Sequence, residues 1–460
     1  MSGLFGVLNI ALSSLSVSQD EISTTSNNVA NANTPGYSRQ VAEVAAGAPV
    51  SLGSISYGTG VVLQKIQSIR DSVLEIQLDT QTQQQSKLDT SLSQLQQLET
   101  HFGSATTGIG DDISKFFNTL QQLSTDPSNL ALRQSVLSAA NTLASDFNST
   151  ASSLQTQRGS IDLNVVQSVN QVNALTTQIA SVNKEISTLQ NAGENPGTLI
   201  DKRTELVRQL SGLIDVAVIP TDQGISIAAS DGTTLVSGPQ SFTLTTGLGT
   251  DGVQHVFSGS KDLTPLIAGG SLGGLLQVRD QEIPALSSSL DQLASGLATA
   301  LNTANAQGVD LHGNLGGNIF VPPPVAGIGA AGALAVSITD PTLIAASSDG
   351  TTGSNGNLAV LSAVATRALP SGQTPIDSYS AIVFKVGSDT ANTSADSTSS
   401  NLILRQLQDQ RGSVSGVSLD EEAGNLIKFQ TAYQAASRVV STINSLLSDA
   451  VNLGLGTPVQ

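Results

Sequence analysis

Apolar residues recur every seven positions at both ends of this chain, and no other feature limits its fold as strongly. Leu8, Leu15, Ile22 and Val29 are spaced by seven, with Leu4, Ala11, Ser18 and Thr25 between them. At the far end Leu426, Tyr433, Val440 and Leu447 repeat in the same way. Phe429, Ala436, Ile443 and Ala450 each follow one of them by three. This is the a/d pattern of a coiled-coil seam. Each stripe is too narrow to bury a helix alone, so the two chain ends are expected to pair into one domain. The second seam stops at Gly454, and Gly456 and Pro458 follow as helix-end signals. At its start Ser418 and Glu421 fit a capping box, and Asp420, Glu421 and Glu422 sit at the positive end of the helix. Three consecutive carboxylates on a helix diverge, so they do not read as a metal site.

Between the ends the period changes. Asn33-Thr-Pro-Gly-Tyr37 places Pro35 and Gly36 for a type II turn. Residues to about Val62 alternate too weakly for strands, and helical spacing is read from about Leu63. Helices are expected over Ile113–Leu123 and Asn129–Gln157. The heptad run Ile161, Val165, Ser168, Val172, Leu175, Ile179, Val182, Ile186, Leu189 predicts another, and Leu199–Leu213 a shorter one. From Val216 the period falls to two, with Asp231-Gly232, Gly238-Pro239 and Asp251-Gly252 as turns, which predicts antiparallel strands. Helix returns over 275–307. Residues 308–357 are rich in Gly, Pro and Ala, with a strand or two near Leu334–Ile338. Helices Leu358–Leu369 and Ile376–Gln410 follow, the second carrying a weak polar stretch at Asp389–Asn401.

The fold class is therefore mainly α with a small β insert: paired coiled-coil-like ends, a helical-bundle middle and an inserted antiparallel β domain. The expected domains are 1–60 with 415–460, 61–214 with 271–414, and 215–270.

Composition narrows the function. The 460 residues hold 19 Lys+Arg and 36 Asp+Glu, a net charge of −17 that repels phosphate backbones and argues against nucleic acid as a partner. With no cysteine there is no disulfide, thiolate metal site or cysteine nucleophile. His101, His255 and His312 are too scattered for a metal cluster, and no cofactor is expected. Aromatics at 3% do not furnish a ligand pocket. Residues 4–17 are interrupted by Asn9, Ser13, Ser14 and Ser16 and lack a basic lead, so no secretory signal is read there. No apolar run approaches the ~18 residues of a membrane span, so no membrane insertion is expected. The chain reads as soluble, and export would use a route without a cleaved signal.

Two catalytic patterns occur and neither has its context. Gly247, Gly249 and Gly252 match a dinucleotide-binding fingerprint but precede the β-like Val253–Phe257 rather than a helix, so a hairpin turn is expected. Gly269, Ser271 and Gly273 match a nucleophile elbow. His312, the one downstream histidine, lies in a Gly-rich loop without alternating strands and helices, and a loop capping the helix from Leu275 is expected instead. The sequons at Asn148 and Asn392 are short enough to arise by chance.

Ser26-Asn-Asn-Val-Ala-Asn-Ala-Asn-Thr-Pro-Gly-Tyr-Ser-Arg39 resembles the N-terminal signature of the bacterial flagellar rod, hook and hook-associated proteins. Asn27, Asn28, Asn31, Asn33, Thr34, Pro35, Gly36 and Tyr37 carry it. Gly416–Arg438, with Asp420, Glu421 and Asn425, resembles the matching C-terminal signature. Asp201–Ser211, Gly270–Leu276 and the start Met1-Ser-Gly-Leu-Phe resemble the hook-associated branch that joins hook to filament. An outer domain that larger members carry after Phe320 is reduced here. The resemblance implies a non-enzymatic structural subunit whose copies form a ring, with the hook subunit below and a second junction protein and the filament above. It also implies flagellar type III export and a cytoplasmic chaperone at the C-terminal region. A hook or rod subunit, or an adhesin-like surface protein using the β insert, are the alternatives. A peptidoglycan-cleaving enzyme would need a convergent carboxylate pair, and none is found in the sequence.

Overall fold

The computed structural model of the protein describes residues 2–52, 55–103, 108–221, 224–229 and 231–454. The first helix, α1 (Ser2–Asn31), ends at a turn in which the Tyr37 N–H donates to the Thr34 carbonyl at 3.2 Å. Gly36 has φ +77°, as the second central residue of a type II turn requires. The last helix, α10 (Leu419–Gly454), returns antiparallel along α1: Asn28 meets Glu422 near one end, and the charges of Glu21 and Lys428 interact farther along. Gly456 and Pro458 lie outside the described residues.

A body of helices stands between the two ends. Its elements are α2 (Ser72–Phe102), α3 (Ile109–Leu123), α4 (Leu130–Asn191), α5 (Gly197–Leu213), α6 (Gly270–Gln277), α7 (Ile283–Asn305), α8 (Gly356–Ala363) and α9 (Pro375–Ser415). Local chemistry sets their starts. Asp71 accepts from Val73 and Leu74 N–H groups at α2, Asn129 from Ala131 and Leu132 at α4, and Thr374 caps α9 ahead of Pro375. One continuous core joins Phe116, Phe147, Ile161, Val172, Leu290 and Phe320. No described residue of α1 or α10 belongs to it.

The strands predicted after Val216 form two antiparallel sheets. One has the order β5 (Val216–Thr221), β6 (Gly224–Ala229), β7 (Thr234–Ser237), β8 (Gln240–Ser241). The other has β11 (Lys261–Asp262), β10 (Gln254–Ser258), β9 (Thr245–Leu248). Ile227, Val236 and Val256 enter the same core as the helices. Asn173 of α4 exchanges two 2.8 Å bonds with the Leu244 backbone.

Several expectations need correction. The described residues of 40–68 form a β ribbon, not weak coil leading into helix: β1 (Gln40–Ala46) pairs antiparallel with β4 (Val61–Ser68), and β2 (Val50–Leu52) with β3 (Ile55–Tyr57). Only every second ribbon residue is covered, and a register shift at Glu43/Val44 breaks the alternation that would have shown it. The runs at 129–157 and 161–189 are one helix of 62 residues, roughly 90 Å long. Leu334–Ile338 makes no strand, only a bridge from Phe320 to Val336. The helix expected from Leu275 begins at Gly270, and the one expected over Leu358–Leu369 spans only Gly356–Ala363. The polar Asp389–Asn401 stretch is fully helical because Ser397 and Ser400 are buried against α2, where Gln85 and Gln81 bond them.

Candidate assembly site at the base of the terminal helices

The seam between α1 and α10 is thin. On α1 the small residues Ala11, Ser18 and Thr25 are buried, together with Val17, whereas Leu4, Leu8, Leu15 and Ile22 are half-buried. Val29, expected in the seam, is 43% exposed, because Asn28 takes the inward position beside it. On α10 Ala436 and Ile443 are buried. Leu426, Phe429, Tyr433, Val440 and Leu447 are half-buried and Ala450 is exposed. Asn425 and Phe429 line a small crevice with Glu21 and Arg39.

At the base of the seam polar groups take over. Asn28, 1% exposed, accepts from the Tyr37 hydroxyl at 2.8 Å and the Gln40 N–H at 2.9 Å. Its amide donates to the Gln40 carbonyl at 2.8 Å and to Glu422 at 3.2 Å. Asn27 donates to the Tyr37 hydroxyl, Asn31 donates back to Asn27, and the Thr34 hydroxyl donates to Asn31. Burial, with the charges of Asp201 and Glu422, pushes the Tyr37 hydroxyl up to about 12, so it stays a donor. Arg39 reaches across to both acids of the α10 start, Glu422 at 2.7 Å and Glu421 at 2.9 Å, and its N–H donates to the Ser415 carbonyl. Only half of the expected capping box forms: the Glu421 N–H donates to the Ser418 hydroxyl at 3.4 Å, while the Glu421 carboxylate is drawn to Arg39. Asn33, Thr34, Pro35 and Asp420 are exposed.

A second layer fastens this turn to the body. Arg411 of α9 donates to the Gly36 carbonyl at 2.8 Å and to Glu75 of α2 at 2.6 Å. Arg208 of α5 pairs with the same Glu75. Arg70 bonds Asp201 at 2.7 Å, the Gly197 carbonyl at 2.8 Å and the Ser38 hydroxyl at 3.2 Å. Asp79 beside this network is pushed up to about 7, by burial first and then by Glu75 and Glu205, against the pull of Arg208. No group of three potential metal ligands occurs among the described residues, and none of their helices is long and apolar enough to cross a membrane. The catalytic patterns resolve into structure. Gly249 and Gly252 form the β9–β10 turn, Ser271 lies in the first turn of α6, and the His312 ring bonds the Thr342 hydroxyl.

Known proteins match along this same arrangement. Residues 8–37 match the family described as flagella basal body rod protein, and 410–453 the C-terminal family of flagellar basal body rod FlgEFG proteins. Residues 95–320 match the flagellar hook-associated protein FlgK helical domain. Flagellar hook-associated protein 1 of Escherichia coli is 27% identical over 97% of this chain and 99% of its own. That of Bacillus subtilis is 29% identical over 99% of this chain and 100% of its own. The chain is similar to flagellar hook-associated protein 1 over nearly its full length, and by that similarity it is a structural subunit of the bacterial flagellum. The solved flagellar hook junction protein FlgK from Burkholderia pseudomallei shares the fold, with a TM-score of 0.68 and 18% identity, over 74% of this chain and all of its own. The Escherichia coli alignment runs over 548 positions against 460 residues here, so that hook-associated protein carries segments absent from this chain.

The signature residues Asn27, Asn28, Asn31, Thr34, Gly36 and Tyr37 are gathered at one base, whereas Asn33 and Pro35 face solvent. Sequence reasoning missed Glu422, Gln40, Arg70, Glu75, Arg208 and Arg411 as partners there. Each is an ordinary charged or polar residue, and all but Gln40, which meets Asn28 twelve positions away, have a partner far off in sequence, 383 positions for Arg39 and Glu422.

Proposed function

We propose that copies of this chain form the layer between hook and filament, and that filament growth depends on it. The observation that carries this reading is the joining of residues 394 positions apart, Asn28 and Glu422, into one helical pair that stands outside the main core. Such a pair buries few apolar side chains of its own, and holding each residue costs about 1–2 kcal/mol of backbone entropy. Neighbouring copies would supply the missing contacts. The pair is thus the assembly domain and the helices are the spacer, with the sheets at 215–270 lying along α4 between Asp162 and Asn183. The hook subunit lies below and a second junction protein and the filament above. Export proceeds through the flagellar type III apparatus with a chaperone on the C-terminal region, a route that a cysteine-free chain suits. The role proposed is structural rather than enzymatic, in line with the similarity to structural flagellar proteins.

The test is Val440→Asp or Tyr433→Asp, each placing a charge on the half-buried face of α10. The variant should be secreted and its body should melt normally, but hooks should stay bare, with filament subunits lost to the medium. Normal filaments on those hooks would refute the reading.

A further inference from the structure

Among the described residues only one histidine, His255, has its ring between carboxylates. The His101 ring bonds the Gln157 side chain and the His312 ring the Thr342 hydroxyl, both neutral groups. His255 stands on β10, the central strand of its sheet, and reaches a group on either side. Its Nδ1 lies 2.6 Å from Asp262 of β11 and its Nε2 3.1 Å from Asp251 of the β9–β10 turn. The ring is packed onto that turn, since a Cβ at Gly249 would sit 2.5 Å from it. Asp251 also accepts from the Val253 N–H at 3.4 Å. Asp262 accepts from the Thr264 N–H at 2.9 Å, where the chain leaves the sheet toward α6. A neutral imidazole carries one N–H and one lone pair, so it donates to one of these carboxylates and turns its lone pair on the other. Only the imidazolium donates to both.

We infer that His255 is a protonation-controlled clamp, which ties the β9–β10 turn to β11 and releases it when the ring gives up its proton. The proton goes to water and the remaining N–H stays on the closer partner, Asp262. The bare Nε2 then faces the Asp251 carboxylate, and the turn is freed. Other charges nearby do not replace the clamp. Lys87 and Asp280 line the same cleft of about 650 Å³ but do not bond the ring, Arg279 is held by Asp162 and Asp280, and Lys261 by Asp231. The bond to Asp262 holds the ring above the ordinary histidine value of 6.5; partial burial opposes it, and the Asp262 charge and the Asp251 bond add to it. A group raised in the folded chain gives a hold that is complete below its ordinary value and lost as pH rises through the folded one. Neither α1 nor α10 contains a histidine, so the device acts on the β9–β11 sheet and not on the terminal pair.

The test is a pH titration of the full chain with isotope-labelled histidines, the His255 signal being the one lost in His255→Gln. Its midpoint should lie above 6.5 and should fall in Asp262→Asn. A midpoint at or below 6.5, or one that Asp262→Asn leaves in place, overturns the clamp. Hydrogen exchange then reads the turn itself, where Gly252 N–H bonds the Gly249 carbonyl and Gly249 N–H the Val253 carbonyl. After correction for the intrinsic rate, protection of the peptide 249–255 should drop roughly 2–5-fold on crossing the measured midpoint, the range of an exposed ion pair. The drop should be absent in His255→Gln and absent from α1 and α10 in the parent. No drop in the parent, or an equal drop in His255→Gln, overturns the inference. Should His255→Gln fold poorly, the parent and Asp262→Asn titrations still decide it. Filament growth is not the readout, so failure here leaves the assembly reading standing.

Discussion

Replacing Asn28 by Ala removes four hydrogen bonds at once and leaves nothing polar in their place. The Tyr37 hydroxyl, both backbone groups of Gln40 and one oxygen of Glu422 each lose a partner. A buried group left unsatisfied costs about 1–3 kcal/mol, more when charged, and Arg39 still holds Glu422. Allowing for relaxation and for a water entering the small gap, the loss is about 3–6 kcal/mol. That loss falls on the helical pair and not on the body, because no described residue of α1 or α10 is part of the main core. Hydrogen exchange on the full-length monomer measures it directly. Amides of residues 11–28 and 422–443 should exchange at least 100-fold faster in the variant, while amides around Phe147 and Ile161 keep their parent rates. Equal acceleration across both regions, or no change in either, would show that Asn28 does not hold the two ends together.

Gly36→Ala puts a side chain at φ +77° and within 3.3 Å of Glu205, so it should destabilise by about 1–2 kcal/mol, read as a lower urea midpoint for the helical pair. Asp79→Asn should act in a pH-dependent way. The folded group titrates at about 7, above its ordinary value, so stability is full below about pH 4, where both states become protonated, and falls as pH rises through about 7, above which both are ionised. About three pKa units correspond to about 4 kcal/mol as an upper bound. The variant should therefore gain most at pH 8 and almost nothing at pH 4 in urea melts, and a gain independent of pH would refute the assignment.

What the sequence made legible was periodic. The pairing of the ends, the Ile161–Ile186 stripe of α4 and the turn at Pro35-Gly36 each follow from a local rule: a seven-residue repeat, a helical stripe, a φ > 0 residue after proline. The ribbon was not legible because half of its residues face solvent and the bulge interrupts the period of two. The base of the helical pair was half legible. Its asparagines and Tyr37 stand out as a motif, but a motif does not name its partners. Arg411 meets Gly36 across 375 positions, and nothing local to either marks the other.

The contrast between seam and base suggests how the two divide the work. Small residues such as Ala11, Ser18 and Thr25 let α1 and α10 approach, but they specify register weakly, since a slip of one heptad would replace them with similar residues. Asn28 allows no such slip. Moving it by seven positions would separate it from Glu422 and pull Arg39 away from both Glu421 and Glu422, and a single buried polar residue is a recognised way of fixing helix register. Arg70, Arg208 and Arg411 then hold the Gly36 turn to α2, α5 and α9, so the direction of the pair relative to the body is set before any neighbour arrives. The signature residues at the base thus supply orientation, and the half-buried apolar faces of α1 and α10 supply adhesion. Substitutions at the base should consequently misdirect or loosen a copy that can still bind, whereas substitutions on those faces should leave a well-oriented copy with nothing to hold it.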